Sequence, residues 1–412
     1  MMDRLKREIF DVLEQISKEH CGFPEVNWFL QESARHFSME NLLSSKPDVI
    51  VIGEDIPREL IRACSEEPWF ILGGSLETTH WSDSLVPRDS DPVSRSALGW
   101  LINDEFDLAE DAIVVFALSS DNRRKLAGLL RRRGIRVACA DMPPLFNSKS
   151  AQECWTFEMK RLAETVSKHT GIRLTARRLN ACINERQQSQ YYIREFKHIV
   201  SQVPGFMSPL LRDTILESAW YAADLKEWTF HLQCLNRQMI NRSQQFVYQP
   251  DSRPRVLMVG SPVVFPNDKL PVLIESSGLY LADKVDSVSL QDDIPCTVTG
   301  SSLSRVLKQM AASHMPCDAA GAWTSNTGLQ AAVRSRMQRM PVDGIVFHVL
   351  KGQIEYDFEL PKIEQLAAEF GVPVIRLETD YQKQDIEQLR IRLEAFSEML
   401  RQRNLERIRM AQ

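Results

Sequence analysis

The chain is poor in the arrangements that usually announce chemistry. Its eight cysteines stand at positions 21, 64, 139, 154, 182, 234, 296 and 317, and no two share the C-x-x-C spacing of zinc or ferredoxin sites. That pattern argues against a disulfide framework, and scattered cysteines in so large a chain read first as small buried hydrophobes. No apolar stretch approaches the ~20 residues needed to span a bilayer, and the opening residues Met1 to Lys6 lead into an amphipathic helix and not a signal peptide. A cytoplasmic location without membrane contact is the expectation. There is no excess of positive charge either: 50 Lys and Arg stand against 55 Asp and Glu, a net charge of −5, which argues against a primary nucleic-acid surface. The basic run Arg131-Arg132-Arg133 ends a helix, where cations complement the dipole. Dinucleotide, P-loop, nucleophile-elbow and zinc-hydrolase patterns are missing from any confirming context.

What is present is a long, ordinary globular composition. At 412 residues the chain exceeds what one core supports, so two domains with helical additions are expected. Two segments repeat one order of elements. In the first, β-rich apolar runs at 48–52, 69–72, 112–118 and 135–138 alternate with helices at 58–65 and 122–133. In the second, runs at 255–259, 279–282, 344–349 and 372–377 alternate with helices at 269–276, 303–312, 329–339 and 360–370. Continuous apolar strands interleaved with helices predict parallel sheets buried on both faces.

Two such halves imply a cleft, with ligands beyond the carboxyl ends of the strands. The turns after Ile52, Leu118, Val259 and Val349 therefore matter most. Ser261, His80 and His348 are the cleft candidates these turns suggest, although a lone histidine is more often a satisfied structural residue. Asp380 and Tyr381 stand between the last strand and the last helix, where capping competes with a site role. Between the halves, the sequence reads as helical, with Trp155, Phe157, Leu162, Trp220, Tyr221, Trp228 and Phe230 on periodic apolar faces. These aromatics read as core before they read as an acyl pocket. In the final helix Asp385 and Gln388 resemble a capping box, and Ile386, Leu389, Leu393, Phe396 and Leu400 form one packing seam.

The closing phrase, Leu377 to Tyr381 followed by Gln384 to Arg390 and Arg392 to Phe396, resembles the C-terminal signature of the 2-hydroxyacyl-CoA dehydratase and benzoyl-CoA reductase family, above all its double-cubane cluster branch. Further similar phrases are Gly260-Ser261-Pro262, Ile274 to Gly278, Met315-Pro316-Cys317, Val342 to Val346, the proline-led Ile56 to Ile61 and Ser119-Ser120-Asp121. The resemblance implies an α/β protein of two Rossmann/flavodoxin-like parallel-sheet domains facing a cleft, with N-terminal and central helical additions. Residues 1–45 then form a helical arm, 46–150 the first α/β domain, 151–252 a central helical region and linker, 253–400 the second α/β domain, and 401–412 a tail.

The family holds iron-sulfur clusters on cysteines, yet this chain carries Glu54, Ser120, Lys284 and Gln353 around the positions where those cysteines are expected. Carboxylate, hydroxyl, amine and amide are poor substitutes for soft thiolate, and a cubane needs about three or four sulfur ligands. Cys317 remains in place, with Cys296 as a second candidate ligand and Cys64 and Cys139 nearest in the first half, so a [4Fe-4S]-type cluster is in doubt.

The family chemistry uses an ATP-dependent activator protein that injects low-potential electrons into an acyl-CoA thioester, in anaerobic metabolism. The resemblance therefore implies a divergent subunit of a dehydratase (lyase) or reductase, forming a heterodimer with a cluster-bearing paralogous subunit. Two alternatives stay open: an iron-sulfur enzyme with a rearranged site, and a cluster-free two-domain protein that binds an acyl or other small ligand.

Overall fold

The structure is a computed structural model that describes residues 2–18, 22–66, 68–103, 111–143, 145, 148–203, 206–243, 251–294, 298, 300–314 and 326–411. Three helices open the chain: α1 (Met2–Lys18), α2 (Val26–His36) and α3 (Met39–Ser45). The first sheet follows as β1 (Val49–Ile52), α4 (Arg58–Arg62), β2 (Pro68–Ile71), α5 (Leu76–Trp81), α6 (Pro92–Ile102), β3 (Ile113–Ala117), α7 (Asp121–Arg132) and β4 (Val137–Ala140). Four long helices come next, α8 (Lys149–Thr170), α9 (Ala176–Gln202), α10 (Pro209–Tyr221) and α11 (Leu225–Ser243). The second sheet begins with β5 (Arg255–Gly260), α12 (Lys269–Ser276), β6 (Tyr280–Val285), α13 (Leu303–His314) and α14 (Thr327–Arg339). It closes with β7 (Gly344–Leu350), α15 (Leu360–Glu369), β8 (Val374–Thr379) and α16 (Ile386–Ala411).

Both sheets are four-stranded and wholly parallel, in the orders β2-β1-β3-β4 and β6-β5-β7-β8. The chain thus reverses its winding between β1 and β3 and again between β5 and β7, the crevice positions of doubly wound sheets. Strands β1, β3 and β7 are buried along their whole length, as their unbroken apolar runs require.

Several expectations are corrected. The last strand of the first half starts two residues later than its run at 135–138, and two helices, α5 and α6, occupy the stretch between β2 and β3 where no element was expected. The helix expected at 303–312 packs on α8 and α9, so Val306, Leu307, Met310 and Ala311 join the core of the first half and not that of the second. Residues 401–411 are no separate tail but the continuation of α16. Trp155, Leu162, Trp220, Tyr221 and Trp228 are core, whereas Phe157 and Phe230 face outward.

One core unites α1 to α3, the first sheet, the central helices and α13. The second sheet is sandwiched by two smaller cores, one under α14 and α15 and the other under α12 and α16. The two halves are therefore joined by α13 and by the turns that meet at their strand ends.

Candidate functional site

The crevice is built by the turns after β1, β3, β5 and β7, together with those after β6 and β8. After β1, Gly53 turns the chain at φ +79°, and a Cβ there would lie 2.5 Å from Arg123 Nη2. Glycine lets the guanidinium of α7 lie directly over the turn. Glu54 and Asp55 follow, both buried. The Ser119 hydroxyl at the end of β3 donates to Asp55 Oδ2 at 2.7 Å. The Ser287 hydroxyl, just past β6, donates to Glu54 Oε1 across the domain boundary. Tyr356, buried in the turn after β7, lies close to Ser287.

These are two adjacent buried carboxylates under one arginine. Burial, then the neighbouring Asp55, push the Glu54 carboxyl up to about 7, with Arg123 and Ser287 opposing. Burial raises Asp55 too, again against Arg123. Burial and crowding thus favour the protonated form of Glu54 toward neutral pH.

Further ties close the crevice from end to end. Gln353 Nε2 donates to Asp91 Oδ1 at 2.9 Å, Asn122 Nδ2 to the Gly352 carbonyl at 3.0 Å, and the Gly74 N–H to the Tyr381 hydroxyl at 3.0 Å. At Gly74, φ is +90° and a Cβ would fall 2.5 Å from the Phe265 carbonyl oxygen, so backbone meets backbone across the seam. Ser261 accepts from Leu350 N at 2.9 Å and holds the β5 and β7 ends together.

His348 is bound on both nitrogens, to the Ser261 carbonyl at 2.9 Å and to Thr379 Oγ1 at 2.8 Å. The carbonyl can only accept, so Nδ1 carries the proton and Nε2 accepts from the hydroxyl. Burial lowers its pKa to about 4, making it a neutral structural histidine. His80 lies outside the crevice on α5, with Nδ1 3.5 Å from Asp83. Ser120 caps α7 by accepting from Arg123 N at 3.3 Å.

Lys284 does not face the crevice. The pairing of β5 and β6 slips by one residue between Val256 and Leu257, leaving Ala282 extra on β6. Such a bulge re-aims the side chains that follow. Lys284 Nζ consequently meets Glu217 at 2.5 Å and Asp213 at 3.7 Å on α10, and Ser287 takes the crevice position instead. Burial alone would lower the Lys284 pKa, but Glu217 and Asp213 raise it above its ordinary value.

A thiolate-held cluster does not fit the described residues at these strand ends. Glu54, Ser120, Lys284 and Gln353 carry hard oxygen or nitrogen donors, each already engaged by a protein partner. Among the described residues no group of three or more His, Cys, Asp or Glu could hold a metal ion. Cys64 and Cys139 are buried in the first core, where burial pushes both thiols up to about 11. Cys296 and Cys317 lie outside the described residues.

An open space borders the crevice on the side of α1. A cavity of about 420 Å³ is lined by Arg4 and Arg7 of α1, Lys269, Tyr381 and Lys383, beside acidic Glu8 and Asp11. Its size suits a small ligand. Glu8 is already used, accepting from Ser75 Oγ at 2.7 Å and Leu76 N at 2.8 Å.

Comparison with known proteins decides the lineage. Residues 55–400 match the family of the 2-hydroxyglutaryl-CoA dehydratase D-component. The chain belongs to that dehydratase family. The (R)-phenyllactyl-CoA dehydratase beta subunit of Clostridium sporogenes is 23% identical over 344 residues, covering 84% of this chain and 89% of the relative. A protein of Escherichia coli K12 described as "Putative dehydratase subunit YjiM" is also 23% identical, over 355 residues and the same shares of each chain. The names of these dehydratase relatives, a D-component, a beta subunit and a subunit, denote parts of multi-component systems. Among the described residues no helix is long and apolar enough to cross a membrane.

The sequence alone did not single out Arg123, Ser287 or Tyr356, and it offered Ser119 only within the phrase Ser119-Ser120-Asp121. The consecutive acids at 54 and 55, ahead of a proline-led helix and in reach of an arginine three residues past Ser120, were the available signal. Nothing local marks Ser287 as the partner of Glu54, which lies 233 residues away.

Proposed function

We propose that this dehydratase-family chain is a subunit that pairs with a cluster-bearing paralogue and holds no iron-sulfur cluster in its own crevice. The observation that carries the reading is the Ser287 to Glu54 contact with its surrounding carboxylate, arginine and hydroxyl groups, which fills with protein the place where strand ends would offer ligands. On this reading the partner performs the low-potential chemistry on an acyl-CoA substrate, with electrons from an ATP-dependent activator. This chain contributes a rigid, closed two-domain body that shapes the partner's site or its docking surface.

A rearranged cluster on Cys317, Cys296 and a first-half thiol is the weaker reading. Cluster ligation requires thiolates, and the buried Cys64 and Cys139 thiols resist ionisation. A cluster-free ligand-binding role draws support from the cavity beside Arg4, Arg7 and Lys383. Binding there would raise thermal stability by mass action, and a chain serving only as a scaffold would show no such rise.

The test is co-expression, without oxygen, with a family paralogue that retains its cysteines. A stable one-to-one complex by light scattering is expected. A chain that stays alone at micromolar concentration would overturn the pairing.

A further inference from the structure

We infer that the groove between α6 and α7, continued by the turn after β7, is the face on which the second subunit docks, and that it receives an apolar segment flanked by carboxylates. The inference rests on the proposed pairing and adds where it occurs.

The groove has a volume of about 410 Å³. Its floor is apolar, with Val86, Pro87 and Leu98 on one side and Leu126 and Leu129 of α7 on the other. Its wall is basic. Lys125 and Arg132 stand on the same side of α7, seven residues apart, both exposed and without an ion-pair partner among the described residues. Gly128 lies between them with nothing within 4 Å of where a Cβ would be, so that wall is open.

The turn after β7 extends this face onto the second domain. Asn122 and Asp91 line the groove, and they bind Gly352 and Gln353 respectively. From that anchored point the chain presents Ile354 and Phe358, which are 68% and 73% exposed. Both are large apolar side chains four residues apart in one short helical turn. Their burial awaits another surface, and aromatic residues of this kind form the centres of interfaces.

Charge argues for the nature of the occupant. The chain is net negative, yet α7 carries Arg123, Arg124, Lys125, Arg131 and Arg132 against a single Asp121. An apolar segment edged with carboxylates complements both the apolar floor and the basic wall.

The test uses the complete chain and the cysteine-bearing paralogue of the co-expression experiment. Phe358→Ser and the double substitution Lys125→Glu with Arg132→Glu are each expected to weaken the complex by at least about 30-fold, the second mainly through slower association at low salt. Phe157→Ser, an equally exposed change on α8, should leave affinity unaltered. All of these positions are on the surface, so unchanged melting temperatures verify the fold. If the unaltered chain binds the paralogue and the groove variants bind equally well, the docking face is wrong while the pairing stands. If the unaltered chain does not bind it, both fail. Loss of self-association in the groove variants would assign the face to a second copy and overturn the inference.

Discussion

Replacing Glu59 by glutamine is expected to cost about 3–5 kcal/mol of stability. Glu59 on α4 is 1% exposed and receives both Arg186 Nη1 bonds, at 2.9 and 2.7 Å, from α9. His314 at the end of α13 meets the same carboxylate at 3.0 Å, and Arg186 Nη2 donates to the Gln291 carbonyl at 2.6 Å. One carboxylate thereby joins the first sheet, the central layer and the second half. Burial opposes its ionisation, but Arg186 overrides burial and holds Glu59 well below the usual carboxylate range. Glutamine keeps the shape and removes the charge, leaving the buried guanidinium uncompensated. The denaturation midpoint should fall accordingly, and a loss under about 1 kcal/mol would show that the joint is not needed. The sign in acid follows from the depressed pKa: this contribution is present above the unfolded carboxylate pKa and is lost as pH falls below it.

Glu54→Gln should have the opposite sign and its own pH signature. The Glu54 pKa is raised in the fold, from 4.5 to about 7. Stability from this group is therefore full below about 4.5 and is lost as pH rises toward about 7, by up to about 3 kcal/mol. Glutamine mimics the protonated acid and still accepts from Ser287. At pH 5 the variant and the unaltered chain should be nearly equal, and at pH 8 the variant should be the more stable. Neutral buried histidines act in the other direction. Burial lowers His36 to about 3 and His348 to about 4, so their contribution is present above about 6.5 and lost as pH falls. Because both proteins share those histidines, the difference in unfolding free energy between variant and unaltered chain, from pH 5 to 8, isolates Glu54. A difference that does not change with pH would contradict the crowded carboxylate pair.

Much of this architecture was legible in the sequence because parallel strands buried on both faces leave uninterrupted apolar runs. β1, β3, β5 and β7 could be read that way, as could α16 from its three-four seam. α6 was not, since all but its last residue is buried and no polar stripe marks its period. α5 is only six residues long. At the crevice, Glu54, Ser120 and Gln353 stand just past β1, β3 and β7, a position that is a local property of the chain. The orientation of Lys284 was not legible, because the extra Ala282 in β6 re-aims it and a bulge leaves no periodic trace. The Glu59 and Arg186 joint was also hidden, its members standing 127 residues apart.

In the proposed subunit the crevice is filled by the chain's own carboxylate, hydroxyl and arginine groups and holds no thiolate-bound cluster. Iron and acid-labile sulfide per chain, measured on anaerobically purified protein after a reconstitution attempt, test it most directly. Negligible iron is expected in the isolated chain, with iron entering the complex only through the paralogous subunit. Near-stoichiometric multiples of iron in the isolated chain, lost on Cys317→Ser, would contradict it.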